Sequence, residues 1–130
     1  MKTMNSILIS ITLLLSLNVH AASYFINDVK GQADQELNSN FKTLIANAVV
    51  EGDDTLVNDV SEANYVLTPS LMKLGNSYIA TLSKSQGGNI IKSQKMKMAT
   101  IDELDTISTR LTRSVVNNQS IAQSQTVDSV

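Results

Sequence analysis

Between Tyr65 and Met98 the sequence alternates through three consecutive runs separated only by glycine turns, and this pattern restricts the chain to folds that contain an antiparallel meander. The runs are Tyr65 to Leu74, Ser77 to Lys84 and Ile90 to Met98. In an extended strand, alternate side chains share a face. Tyr65, Leu67, Pro69, Leu71 and Lys73 therefore lie on one side of the first run, and Val66, Thr68, Ser70, Met72 and Leu74 on the other. In the second run Tyr78, Ala80 and Leu82 oppose Ile79, Thr81 and Ser83. Gly75-Asn76 and Gln86-Gly87-Gly88-Asn89 supply residues that tolerate positive φ, as tight hairpins require. Pro69 lacks an N–H for the ladder, which predicts an edge or a bulge at that point.

Helical periods flank the meander. Leu37, Phe41, Leu44, Ile45, Ala48 and Val49 recur on one face of a 3.6-residue period, predicting an amphipathic helix over about Asp34 to Val50. Asp34 and Glu36 suit its positive end, and Gly52 stands where a left-handed cap would fall. After the meander, Ile101, Leu104, Ile107, Leu111 and Val115 form a second stripe, predicting a helix over about Ile101 to Val116. Thr100 and Glu103 have capping-box spacing, and Arg110 and Arg113 lie toward the negative end. Ser23 to Val29 reads as a first strand or an ordered arm. Asp53 to Ala63 reads as a short strand at Thr55-Leu56-Val57, followed by a turn or single helical turn at Val60 to Ala63. The fold class is then α+β: a two-layer sandwich of an antiparallel sheet of three to five strands with two amphipathic helices on one face.

The chain opens with Lys2 and an apolar stretch from Ile7 to Val19, interrupted only by Ser10, Thr12, Ser16 and Asn18. That is too short for the roughly 20 residues of a membrane span and fits a secretory signal. Val19-His20-Ala21 resembles a small-x-small cleavage site, so the cut is placed after Ala21, with after Ala22 as the alternative. Residues 1–21 are read as a signal peptide, 22–117 as one domain and 118–130 as a flexible polar tail. The mature chain is then periplasmic or secreted, with no membrane insertion once the signal is lost.

Loss of the signal removes the single histidine, His20, and the chain has no cysteine and no tryptophan. Ser-His-Asp and Cys-His catalysis are thereby excluded from the mature chain, disulfides cannot form, and a zinc site lacks its usual ligands. With Lys2 removed, the formal net charge falls one unit below −2, which gives no reason to expect nucleic acid as a partner. Ser70-Leu71-Met72-Lys73 matches S-x-x-K, but a strand would send the two side chains to opposite faces. Asp53, Asp54 and Asp59 lack the spacing of a calcium loop and read as a solvated acidic segment. Asp102, Glu103 and Asp105 read as charges at a helix start rather than a catalytic carboxylate pair. No cofactor is implied. Lys84, Lys92, Lys95 and Lys97 gather on the second hairpin. They read either as edge protection on a solvated face or as a contact patch for an acidic partner. No aromatic side chain interleaves with them, which disfavours single-stranded nucleic acid. Met72, Met96 and Met98 read as core gap-fillers, with an adaptable binding surface as the other option.

Ala63-Asn64-Tyr65-Val66-Leu67, Leu71, Gly75 and Tyr78 follow the run A-[DN]-Y-V-L-x-x-x-L-x-x-x-G-x-x-Y, and Gly87-Gly88 with Ile90-Ile91-Lys92-Ser93 completes a matching hairpin. This resembles the TolB N-terminal-like domain, the α+β unit that also occurs in CsgG-like and LpoB-like envelope proteins. The resemblance spans about Tyr24 to Val116 and is most specific from Ala63 to Ser93. Thr68-Pro69 departs from the family's usual glycine. The propeller of TolB, the membrane hairpins of CsgG-like proteins and the lipid-bearing cysteine of LpoB-like proteins have no counterpart here. The resemblance implies a protein-contact module of the bacterial envelope, without catalysis, acting as accessory or adaptor to an unidentified envelope partner. The alternative is a small-ligand carrier or sensor in the periplasm, which would need an enclosed apolar cavity. Neither reading fixes a homo-oligomeric state.

Overall fold

The computed structural model describes residues 21–31 and 33–117. The predicted tail at 118–130, and the predicted signal except for Ala21, lie outside the described residues.

Helix α1, Gln35–Glu51, begins at Asp34, whose carboxylate accepts the Leu37 amide at 2.8 Å. This satisfies one of the free N–H groups of the first turn. Leu37, Phe41, Ile45, Ala48 and Val49 are buried, as the period predicts. The helix stops without a left-handed glycine. Gly52 has φ −87°, and the left-handed residue is Asp53 at φ 69°. A short polar side chain tolerates that conformation better than most. Helix α2, Leu104–Asn117, follows a single 3₁₀ turn at Ile101–Glu103. The Glu103 carboxylate reaches back to accept the amides of Ala99 at 2.7 Å and Thr100 at 3.1 Å. Leu104, Ile107, Leu111 and Val115 are buried, but Ile101 is 52% exposed. The tighter winding of the 3₁₀ turn rotates Ile101 off the stripe that the α-helical period assigns to it.

Six strands form one sheet: β1 Ser23–Ile26, β2 Lys30–Gly31, β3 Thr55–Leu56, β4 Tyr65–Leu74, β5 Ser77–Gln86 and β6 Asn89–Met98. The order is β3-β1-β4-β5-β6, with β2 pairing β4 beyond the end of β1. β4, β5 and β6 make the antiparallel meander. The sheet as a whole is mixed, because β1 runs parallel to both β3 and β4, and β2 parallel to β4. A parallel return needs a crossover, and α1 supplies it between β1 and β3. The α+β sandwich with two helices on one sheet face stands. The wholly antiparallel sheet is corrected to a mixed one.

Pro69 is neither at an edge nor at a bulge. It pairs with Leu82 inside β4, a strand with neighbours on both sides. The Leu67 carbonyl faces β1 and accepts the Asn27 amide at 2.9 Å. Two residues on, Pro69 turns its missing donor to the same side, where the chain is interrupted between β1 and β2. The break in the neighbouring strand accommodates the proline. At Gly31 the two backbones come so close that a Cβ would stand 1.9 Å from the Leu71 carbonyl oxygen, and φ is +125°. Only glycine fits there.

The core lies between the helices and one face of the sheet. Leu67, Leu71, Ala80, Leu82, Met96 and Met98 from the sheet meet Phe41, Ile45, Ile107, Leu111 and Val115 from the helices. Met72 is not part of it and is 52% exposed, because alternation places it on the opposite face.

Candidate functional site

The helices cover one sheet face, and among the described residues none packs over the other, here called the bare face. Registered across β4, β5 and β6, the bare face carries the rows Val66–Ser85–Ile90, Thr68–Ser83–Ser93, Ser70–Thr81–Lys95 and Met72–Ile79–Lys97. The centre is a band of hydroxyls, with Ser83 Oγ and Ser93 Oγ 3.0 Å apart. Exposed apolar groups stand at its corners: Met72 and Leu74 at one end, Ile90 at the other. Lys95 and Lys97 line its β6 border.

The four lysines of the second hairpin therefore do not form one patch. Lys95 and Lys97 belong to the bare face, whereas Lys84 and Lys92 pair directly across the strands on the helix-bearing side. A bulge at Lys84/Ser85 then shifts the register toward the turn. Lys84 Nζ lies 4.1 Å from the centroid of the Tyr65 ring and 5.6 Å from that of Tyr24. The two rings stack with centroids 5.3 Å apart. Lys84 is held below the usual lysine range, first by desolvation. The Asp54 carboxylate opposes that shift and the like charge of Lys92 adds to it. Ser70 and Lys73 fall on opposite faces of β4, so the S-x-x-K spacing assembles nothing.

Beside this stack is a cleft of about 520 Å³ lined by Tyr24, Asp54, Tyr65, Lys84, Val116 and Asn117, among others. Asp54 Oδ1 accepts the Ala22 amide at 3.1 Å. The Tyr24 phenol is pushed well above its usual range, first by burial and then by the charge of Asp54 and by Tyr65. It therefore stays protonated at neutral pH. The cleft offers carboxylate, ammonium and phenol groups suited to holding a charged moiety. Asp59 is engaged elsewhere, accepting the Ser61 amide and hydroxyl at 3.0 and 2.9 Å. Among the described residues no three His, Cys, Asp or Glu side chains are placed to hold a metal ion. No helix among them is long and apolar enough to cross a membrane.

Sequence reasoning found Lys84 but not the aromatic cradle beneath it. Tyr24 and Tyr65 become neighbours only through the parallel pairing of β1 with β4. No local spacing encodes that pairing. The available signal was a tyrosine near the start of each of the two strands.

No protein-family model matches the chain, and no curated protein matches it. Among solved structures it is similar to the PelC dodecamer from Paraburkholderia phytofirmans. The TM-score is 0.54 at 14% identity, covering 80% of this chain and 91% of that one. It is also similar to the LpoB C-terminal domain from Escherichia coli, with a TM-score of 0.50 at 20% identity over 62% of this chain and 85% of that one. TolB from Acinetobacter baumannii superposes at a TM-score of 0.47 and 10% identity, over 72% of this chain and only 28% of the longer TolB chain. At these identities the likeness is one of fold. The resemblance carried by Ala63 to Ser93 thus holds at the level of architecture: this is an α+β domain with the fold of the LpoB C-terminal domain.

Proposed function

We propose that the chain is exported, loses residues 1–21, and serves as a non-catalytic contact module of the bacterial envelope. As an accessory or adaptor, it docks an acidic partner protein on its bare sheet face. The observation that carries this reading is the asymmetry of the sandwich. One sheet face is sealed by α1 and α2, while the other presents Lys95 and Lys97 beside exposed Met72 and Leu74. Apolar corners give contact area, and lysines on one border give orientation and attraction toward negative charge. The fold shared with the LpoB C-terminal domain supports the reading.

The competing reading is a small-ligand carrier or sensor. The cleft beside Tyr24, at about 520 Å³, falls within the size range of ligand sites, but it is open and lined by charged groups and is not the enclosed apolar cavity that this reading called for. Its charged lining would select a polar ligand.

A photo-crosslinking residue placed at Ser93 on the bare face, with Asn47 on the exposed side of α1 as control, separates these readings in living cells. Capture of one abundant envelope protein from Ser93 alone is the expected result. Equal capture from both positions, or none from either, overturns the docking face. Self-crosslinks alone would instead indicate assembly of copies, as PelC forms a dodecamer.

A further inference from the structure

We propose that Asp54 is the receiving group for the chain's own processed N-terminus. Cleavage between Ala21 and Ala22 frees an α-ammonium that forms an ion pair with the Asp54 carboxylate at the rim of the Tyr24–Lys84 cleft. This rests on the export reading above and gives it a structural endpoint.

The backbone at Ala22 is already fixed. Its carbonyl accepts the Thr55 amide at 2.9 Å. The next residue is held on the other side, where the Ser23 amide donates to Asn64 Oδ1 at 2.9 Å and the Ser23 hydroxyl to the Glu62 carbonyl at 3.1 Å. These bonds aim the Ala22 nitrogen at Asp54 Oδ1, 3.1 Å away. The carboxylate is positioned by the left-handed Asp53 and by the Asp54 amide, which donates to the Val49 carbonyl at 3.3 Å. Ala21, on the other side of the bond, is exposed.

Hydrolysis balances simply. Water gives its hydroxyl to the Ala21 carbonyl carbon and a hydrogen to the Ala22 nitrogen. The new carboxyl then yields its proton, leaving a carboxylate on the departing segment and an ammonium on Ala22. The contact at Asp54 changes from a neutral amide donor to a charged ammonium, so the hydrogen bond gains an ion-pair attraction. A cut after Ala22 would delete both this contact and the bond from Thr55. The charged groups facing the site are Asp53 and Asp54 after α1 and Lys84 on β5, with Lys92 behind Lys84 and the phenols of Tyr24 and Tyr65 below.

The test starts with the intact mass of the exported protein, expected to begin at Ala22. The α-amine is then titrated by NMR. Its pKa is expected to lie above the ordinary α-amino value of about 8, and to fall by about one unit in Asp54→Asn. Asp53→Asn, which removes a neighbouring charge without a direct contact to the Ala22 nitrogen, should lower it by clearly less than Asp54→Asn does, and one glycine inserted before Ala22 should return it to the ordinary value. A chain beginning at Ser23, or an amine insensitive to Asp54→Asn in a folded protein, overturns the inference while leaving export standing. A chain that keeps residues 1–21 overturns both.

Discussion

Tyr24 is the residue whose environment has the clearest consequence for stability. The residue is 2% exposed, and the pKa of its phenol is raised by burial, Asp54 and Tyr65. In the unfolded chain the same group ionises near the ordinary tyrosine value of about 10. The folded state therefore holds the proton to higher pH. The stabilisation is complete below pH about 10 and is lost as pH rises beyond that, by up to about 1.4 kcal/mol per pH unit. Lys84 acts with the opposite sign. Its lowered pKa means that the unfolded state keeps that proton longer, so the cost of burying the ammonium disappears as pH rises toward the ordinary lysine value. Urea unfolding between pH 8 and 11 is expected to show a decline in wild type that flattens in Tyr24→Phe. Equal slopes in the two proteins would refute the assignment. At this scale the sequence offered the tyrosines and the lysine, but not their meeting, which depends on strands far apart in the chain.

The elements themselves were largely legible. Both helices follow from their 3.6-residue stripes, and the meander follows from alternation between glycine turns. What escaped was the parallel part of the sheet. β2 and β3 are two residues each, too short to carry a period, and β1 is placed by partners rather than by its own pattern. Pro69 read as an interruption of its own strand, yet the interruption lies in the neighbouring one. Gly31 shows the same long-range control, because its side-chain-free Cα is required by the Leu71 backbone. Gly31→Ala combines a positive-φ penalty with a backbone clash and is expected to destabilise the fold by about 2 kcal/mol or more. Gly87→Ala, also at positive φ but with nothing within 4 Å, should cost less. Thermal melts of the two variants decide the ranking. A smaller loss at Gly31 would mean that β2 does not hold the register seen here.

For the molecule as a whole, the two-layer arrangement makes charge reversal on the bare face separable from folding. Lys95 and Lys97 are exposed and face away from the core. The double change Lys95→Glu with Lys97→Glu is expected to shift stability by no more than about 1 kcal/mol, since surface substitutions usually fall within about 0.5 kcal/mol each. It should lower capture of the partner from Ser93 severalfold. In the wild type, capture from a purified envelope extract should weaken as ionic strength rises, because exposed charges are screened beyond about 10 Å at 0.1 M salt. Capture indifferent to both charge reversal and salt would count against an acidic partner. The candidate site was only half legible at this scale. The hairpin that carries the lysines was visible, but their division between two faces follows from the three-strand register.

The position of β1 also bears on timing. It is the earliest described strand in the chain, yet it occupies an interior slot between β3 and β4. The sheet cannot close until segments some forty residues downstream have arrived beside it, as the Ser23–Asn64 contact, 41 residues apart, illustrates. Pairings of such long range close slowly. Under the export proposed above, a chain threaded through a pore in the order of its residues would benefit from that delay, because β1 stays unpaired, and the sheet open, until the downstream strands have followed it across.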